Sequence, residues 1–237
     1  MKKFLFFAGT LLTLTGCTVY RPQAVDIPLI NHAGDTRVDA SFSVSSWVGI
    51  IDAMNINATV SHGFNGWLTG QLHANYGGEN WYAQAAPGFY LPMGDHGVAE
   101  LYAGYGYGGA DRDATTADRE KFSGHYHLPF VQLNVGLHDL LSSKLDLGVG
   151  LKVGGFLPDY QYHKFDSDGV EDFSKYEHYT TSNLLLEPQV MVRFGAPSFK
   201  FNVKVGFAWL SDFLNDSNNA HMIYDFVTAS CGFTFSF

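Results

Sequence analysis

From Thr36 onward the chain alternates apolar with small or polar residues, in runs bounded by turn residues. The plainest run, 36–46, sets Val38, Ala40, Phe42 and Val44 on one face and Arg37, Asp39, Ser41, Ser43 and Ser45 on the other. Successive side chains of a strand point to opposite faces, so period two predicts strands with one apolar side. Further runs fall at 51–61, 67–76, 81–91, 98–108, 131–137, 145–153, 184–194, 199–209 and 222–237. The fourth is interrupted by Pro87-Gly88, and its facing is the least defined. The pattern predicts ten antiparallel strands, or eight if the weak fourth or the short second is misread.

The connections carry a second pattern. The longest, 110–123, 158–179 and 211–221, all follow odd-numbered strands, whereas those after even-numbered strands are short. Long external loops and short periplasmic turns are the known asymmetry of transmembrane β-barrels. Predicted aromatic belts agree, with Trp47, Tyr76, Trp81, Tyr107 and Trp209 at the outer interface and Phe194, Phe199 and Phe237 at the inner one. The chain ends Cys231-Gly232-Phe233-Thr234-Phe235-Ser236-Phe237, and Phe233, Phe235 and Phe237 resemble the C-terminal signal that directs bacterial barrels to their insertion machinery. The expected fold is therefore all-β: one up-and-down transmembrane barrel of about ten strands. A soluble lipocalin-like barrel or sandwich would alternate equally, and the sequence leaves open which face is inside.

Lys2 and Lys3 precede a short apolar run, 4–14, as in a secretory signal too short to span a bilayer as a helix. It closes on Leu14-Thr15-Gly16-Cys17, which resembles a bacterial lipobox, with cleavage before Cys17 and a lipid on its sulfur. This divides the chain into a signal peptide (1–16), a lipidated tether (17–35) and a barrel (36–237). An even strand count leaves both termini in the periplasm, where the tether lets Cys17 enter the inner leaflet; whether that tether lies in the periplasm or the lumen stays open.

Composition narrows the partners. The net charge of −9 becomes −11 without Lys2 and Lys3, which argues against nucleic acid. Hydrophobic residues make up 46% of the chain, yet no mature segment offers the long apolar run of a membrane helix. The expected partners are outer-membrane lipids, the insertion machinery, and an extracellular ligand or protein at loops 110–123 and 158–179. With Cys17 lipidated, Cys231 has no disulfide partner and reads as a small lipid-facing residue.

Tyr20-Arg21-Pro22, then Ile27-Pro28-Leu29, then Gly34-Asp35 before the first strand, resemble the opening of small lipobox-bearing outer-membrane barrels of Bacteroidota. That resemblance implies a barrel and no particular activity, so no catalytic residue is carried over.

Candidate chemistry lies in three places. Asp111 and Asp113 beside His125 and His127 could share an outer rim and activate a water or hold a metal, although hydrated loops are commonly rich in both residue types. Asp166, Asp168, Glu171 and Asp172 lack the ladder of a calcium loop, and the aromatics around them, Tyr160, Tyr162, Phe165, Phe173, Tyr176 and Tyr179, suit either a ligand or packing over the mouth. The inward charges Arg37, Asp39, Glu100, Asp146, Lys152, Glu187, Arg193, Lys200 and Lys204 read as a polar plug or as a selectivity filter. Ser61-His62 and His138-Asp139 read as chance neighbours. No cofactor and no catalytic set is expected. The leading expectation is a non-enzymatic barrel lipoprotein of structural or surface-interaction role; a narrow channel comes second and a rim-site hydrolase third.

Overall fold

A computed structural model describes residues 20–25, 27–47, 50–112, 120–164, 177–211 and 224–237. Ten strands form the wall: β1 (Thr36–Trp47), β2 (Ile50–Gly63), β3 (Leu68–Tyr76), β4 (Asn80–Met93), β5 (Gly97–Arg112), β6 (Glu120–Asp139), β7 (Leu145–Lys164), β9 (Asn183–Ala196), β10 (Phe199–Phe207) and β12 (Val227–Ser236). Two short strands extend it at the rim with the long loops. β8 (Glu177–Tyr179) pairs with β7, and β11 (Trp209–Ser211) continues β10 along β9. Each strand pairs antiparallel with its neighbours, and β1 closes on β12 from Arg37↔Ser236 to Ser46↔Val227, so no barrel edge is left unpaired.

The alternation decides which side is in. Phe42, Ile56, Leu72, Leu91, Val149, Val192 and Phe201 point outward and are exposed, while Asp39, Asn57, Gln71, Gln132 and Asn202 point inward and are buried. Water would not tolerate so continuous an apolar belt, whereas lipid requires one. Polar inside and apolar outside is the reverse of a soluble barrel. Among the described residues no helix is long and apolar enough to cross a membrane.

Two expectations about the wall change. Pro87 and Gly88 do not interrupt β4: Pro87 faces outward, and the register Ala85↔Tyr105 resumes unshifted at Gly88↔Tyr102. A proline removes one donor from a ladder without moving its neighbours. Much of the supposed loop sequence is also strand, because β5 and β6 reach Arg112 and Glu120 and β7 reaches Lys164. Above the lipid the outer face no longer has to be apolar, so alternation of hydrophobicity fades while pairing continues, as in His125↔Asp159 and Ser123↔Gln161.

The third change concerns residues 20–35. Tyr20, Val25, Ile27, Leu29 and Ile30 are fully buried, and the segment runs inside the barrel. Its lower end is held where β1 begins, by Gly34 N–H donating to Gly63 (2.8 Å) beside the terminal pairing of Thr36 with Phe237. Its upper end bridges Tyr20 to Tyr224, just before the outer end of β12. The segment thus spans the lumen, with Gly34 at the C-terminal rim and Tyr20 toward the opposite one. Cys17 itself lies outside the described residues.

Candidate functional site

Every charged group on the inner wall meets the threaded segment or an opposite charge. Near the C-terminal rim, the Asp146 carboxylate accepts from Lys200 Nζ (2.5 Å) and faces Arg37 (3.7 Å) and Arg193 (3.8 Å). Arg193 donates in turn to the Ile27 and Pro28 carbonyls (2.5 and 3.2 Å). Asp39 accepts from Lys204 (2.7 Å), Asn202 (2.6 Å) and Thr234 (3.0 Å). At the same end, Glu100 accepts from the Ile30 N–H (2.7 Å) and Asn134 (3.0 Å). Glu187 accepts from the Tyr20 hydroxyl (2.7 Å) and the Gln23 N–H (3.1 Å) and pairs with Lys152 (3.5 Å). These are the nine inward charges read from the sequence, all of them buried in the lumen.

Among the described residues, six cationic and six anionic side chains are buried, two of them, Arg21 and Asp35, supplied by the segment. Among the described residues the lining thus carries both signs in equal number. Desolvated charges persist only when paired, and the wall and the segment provide the pairs for each other.

The upper lumen is filled by rings. Tyr20 packs edge-on against Tyr126 and Phe156 (5.5 and 4.9 Å), and Tyr126 stacks on Tyr82 (5.8 Å). Glycines on β5 make room for them: a Cβ at Gly104 would lie 2.6 Å from Phe130, and one at Gly108 would lie 2.4 Å from Tyr126. Lys152 Nζ sits 4.9 Å from the Phe130 ring centre and donates to Gln84 (3.0 Å). Below, Ile27, Leu29 and Ile30 pack with inward Tyr90, Val98 and Met191. The glycine-against-tyrosine arrangement was present in the alternation of β5, but the segment that completes it carries no strand period.

An outward apolar belt, short turns at one rim, long loops at the other and a polar interior are now joined by one more finding. Among solved structures, the outer membrane protease OmpT from Escherichia coli is similar with a TM-score of 0.57 at 8% identity, over 91% of this chain and 100% of that one. The fold is that of an outer-membrane β-barrel. The KdgM porin is also similar (TM-score 0.41, 11% identity, 85% of this chain and 99% of that one), as is the translocator domain of the autotransporter NalP from Neisseria meningitidis (0.41, 9%, 87% and 90%). At such identities the likeness concerns the fold alone. Residues 1–18 match the prokaryotic membrane lipoprotein lipid attachment site, which makes this a lipid-anchored outer-membrane barrel. No curated protein matches the chain in sequence.

Among the described residues, the suspected rim groups Asp111, His125 and His127 lie outside the mouth of this outer-membrane barrel. His125 and His127 lie on the outer surface of β6 against Tyr105 and Tyr107, because the intervening Tyr126 takes the inward position. His125 faces Asp159 (3.9 Å), which also meets His178 (2.7 Å), and Asp111 is exposed. Asp113, Phe165, Asp166, Asp168, Glu171, Asp172, Phe173 and Tyr176 lie outside the described residues. Tyr160 points into the lumen, with Tyr162 and Tyr179 packed against the same cluster, as expected of aromatics covering a mouth. Among the described residues no His, Cys, Asp or Glu group is arranged to hold a metal. Ser61 accepts from Gln71 inside the lumen while His62 contacts Thr36, and His138 binds Asp139 (2.9 Å) at the C-terminal rim. Cys231 is exposed on the outward face, as read from the sequence. Of the outer belt, Tyr76, Trp81, Tyr107 and Trp209 are exposed; of the inner, Phe194, Phe199 and Phe237.

Proposed function

We propose that this protein is a non-enzymatic outer-membrane barrel lipoprotein, closed to solutes by its own N-terminal segment, that serves the cell envelope through its outer loops. The observation that carries the reading is the burial of residues 20–25 and 27–30 along the lumen, tied to Glu187 and Arg193 on β9 and to Glu100 on β5. A ten-stranded barrel is narrow even when empty, with an interior close to what side chains alone can fill. With the segment in place, a gap beside Gln23, Lys152 and Glu187 amounts to 10 Å³, room for about one water. A balanced lining and a packed core argue for a plug over a filter. The outward placement of His125 and His127 supports a protein without a hydrolytic site. Two rims differ in what they offer a partner: the C-terminal one has short turns, and the other has the polar connection between β5 and β6 and the longer, acidic and aromatic one between β7 and β8.

Conductance in planar lipid bilayers tests this. The full-length protein should give no single-channel steps, and a chain lacking residues 18–32 but still migrating as a folded barrel should give small ones. Steps from the full-length protein that disappear in Arg193→Ala or Lys204→Ala would make it a channel.

A further inference from the structure

The described N-terminal segment begins at Tyr20, near the rim opposite the C-terminus, and this limits where a lipid on Cys17 can go. Tyr20 is fixed at that rim by several contacts: its carbonyl accepts from the Asp225 N–H (3.0 Å), its hydroxyl donates to Glu187 (2.7 Å), and its ring packs on Tyr126 and Phe156. Asp225 is in turn tied to Arg21 (3.5 Å) and to Ser45 (2.5 Å) near the outer end of β1. From Tyr20 the chain descends through Gln23, which accepts from Asn75 near the outer end of β3, to Ile30 on Glu100 and to Gly34 at the start of β1.

Cys17 is three residues beyond Tyr20, at most about 11 Å of extended chain. The apolar band of an outer-membrane barrel is about 25 Å tall. From its anchored neighbour, Cys17 cannot reach the leaflet on the C-terminal side, and the filled lumen has no room for acyl chains. We infer that the lipid on Cys17 is seated in the outer leaflet, with the mature N-terminus on the cell surface. This rests on the lumenal plug proposed above. The wall offers acyl chains a place beside the exit: Phe207 and Phe226 are in ring contact (5.7 Å) and, with Trp209, form an exposed apolar patch next to Tyr224, the residue that bridges to Tyr20. Outward aromatics at a rim sit at the headgroup level of a bilayer, where a glyceryl-linked chain would enter lipid.

The test uses the full-length protein in intact cells, in a Cys231→Ala background. Val19→Cys places a thiol beside Cys17, and Gly66→Cys places one in the β2–β3 turn, where a side chain meets nothing within 4 Å. A membrane-impermeant maleimide should label Val19→Cys in intact cells as fully as in permeabilised ones, and Gly66→Cys only after permeabilisation. Labelled palmitate should be incorporated and lost on Cys17→Ala. Heat-modifiable migration checks that each variant is a folded barrel, and crosslinking of Gln23→Cys to Asn75→Cys by a short bis-maleimide, which spans the reach of the two original side chains, reports the plug separately. If Val19→Cys is labelled only after permeabilisation, or palmitate is not incorporated, the outer-leaflet assignment is overturned. If that occurs while the crosslink still forms, the plug stands; if a folded barrel forms no crosslink, the plug falls with it.

Discussion

Single residues in this lumen are sized by what faces them across the wall. Gly104 sits where a Cβ would lie 2.6 Å from both Ala86 and Phe130, so the missing side chain is what lets Phe130 point inward and Lys152 rest over its ring. Gly104→Val forces that ring off its place. Overpacking of this kind costs about 1–3 kcal/mol, and the variant should lose its compact migration on gels at a lower temperature than the parent. Gly104→Ser should cost less, since a smaller side chain can be met by a smaller shift of Phe130. The buried carboxylate Asp39 represents the opposite case, a side chain that cannot be removed because so much converges on it. With Lys204 at 2.7 Å, Asp39→Ala strands a lysine among groups arranged for an anion. Breaking such a buried pair from one side costs about 3–5 kcal/mol, which should appear as the largest drop in thermal stability among single lumen substitutions.

Elements differ in how far the sequence revealed them. β1, β2, β10 and β12 are legible because lipid demands an apolar outer face and the lumen tolerates polar groups, which is the largest contrast period two can show. The upper parts of β6 and β7 are not, because His125, His127, Asp159 and Gln161 face water above the belt and the contrast is gone. The N-terminal segment is harder still: with two prolines and no period it reads as a tether, although Val25, Ile27, Leu29 and Ile30 are more apolar than a solvated tether needs. The β6–β7 turn adds a local case. Asp139, Leu141 and Ser142 adopt left-handed backbone that glycine usually takes, and the turn is held by Asp139. Burial pushes its carboxyl up, but the hydrogen bond with His138 and the charges of Lys200 (3.6 Å) and Arg37 outweigh this and hold it below the usual carboxylate range. A carboxyl whose folded pKa is lowered stabilises the fold fully above its unfolded value, and that contribution is lost as pH falls through the lowered one. Melting profiles between about pH 5 and pH 3 should therefore fall less steeply for Asp139→Asn than for the parent, the unfolded reference being about 3.9.

At the scale of the whole molecule, the lipid-facing belt is what distinguishes this barrel from a soluble one of equal alternation. Extracted from outer membranes without boiling, the protein should migrate on detergent gels ahead of its boiled form; identical migration would contradict a closed transmembrane barrel. The charges of the interior are balanced among the described residues, with six buried groups of each sign. The route of the N-terminal segment has a consequence for assembly. A finished cylinder packed with tyrosines has no bore through which an acylated chain end can be drawn, so the segment must already lie along the open sheet when its two margins come together. The β1–β12 seam, ten residue pairs long, is then the last to zip, and the barrel is built around its own N-terminus as a sleeve is sewn around an arm.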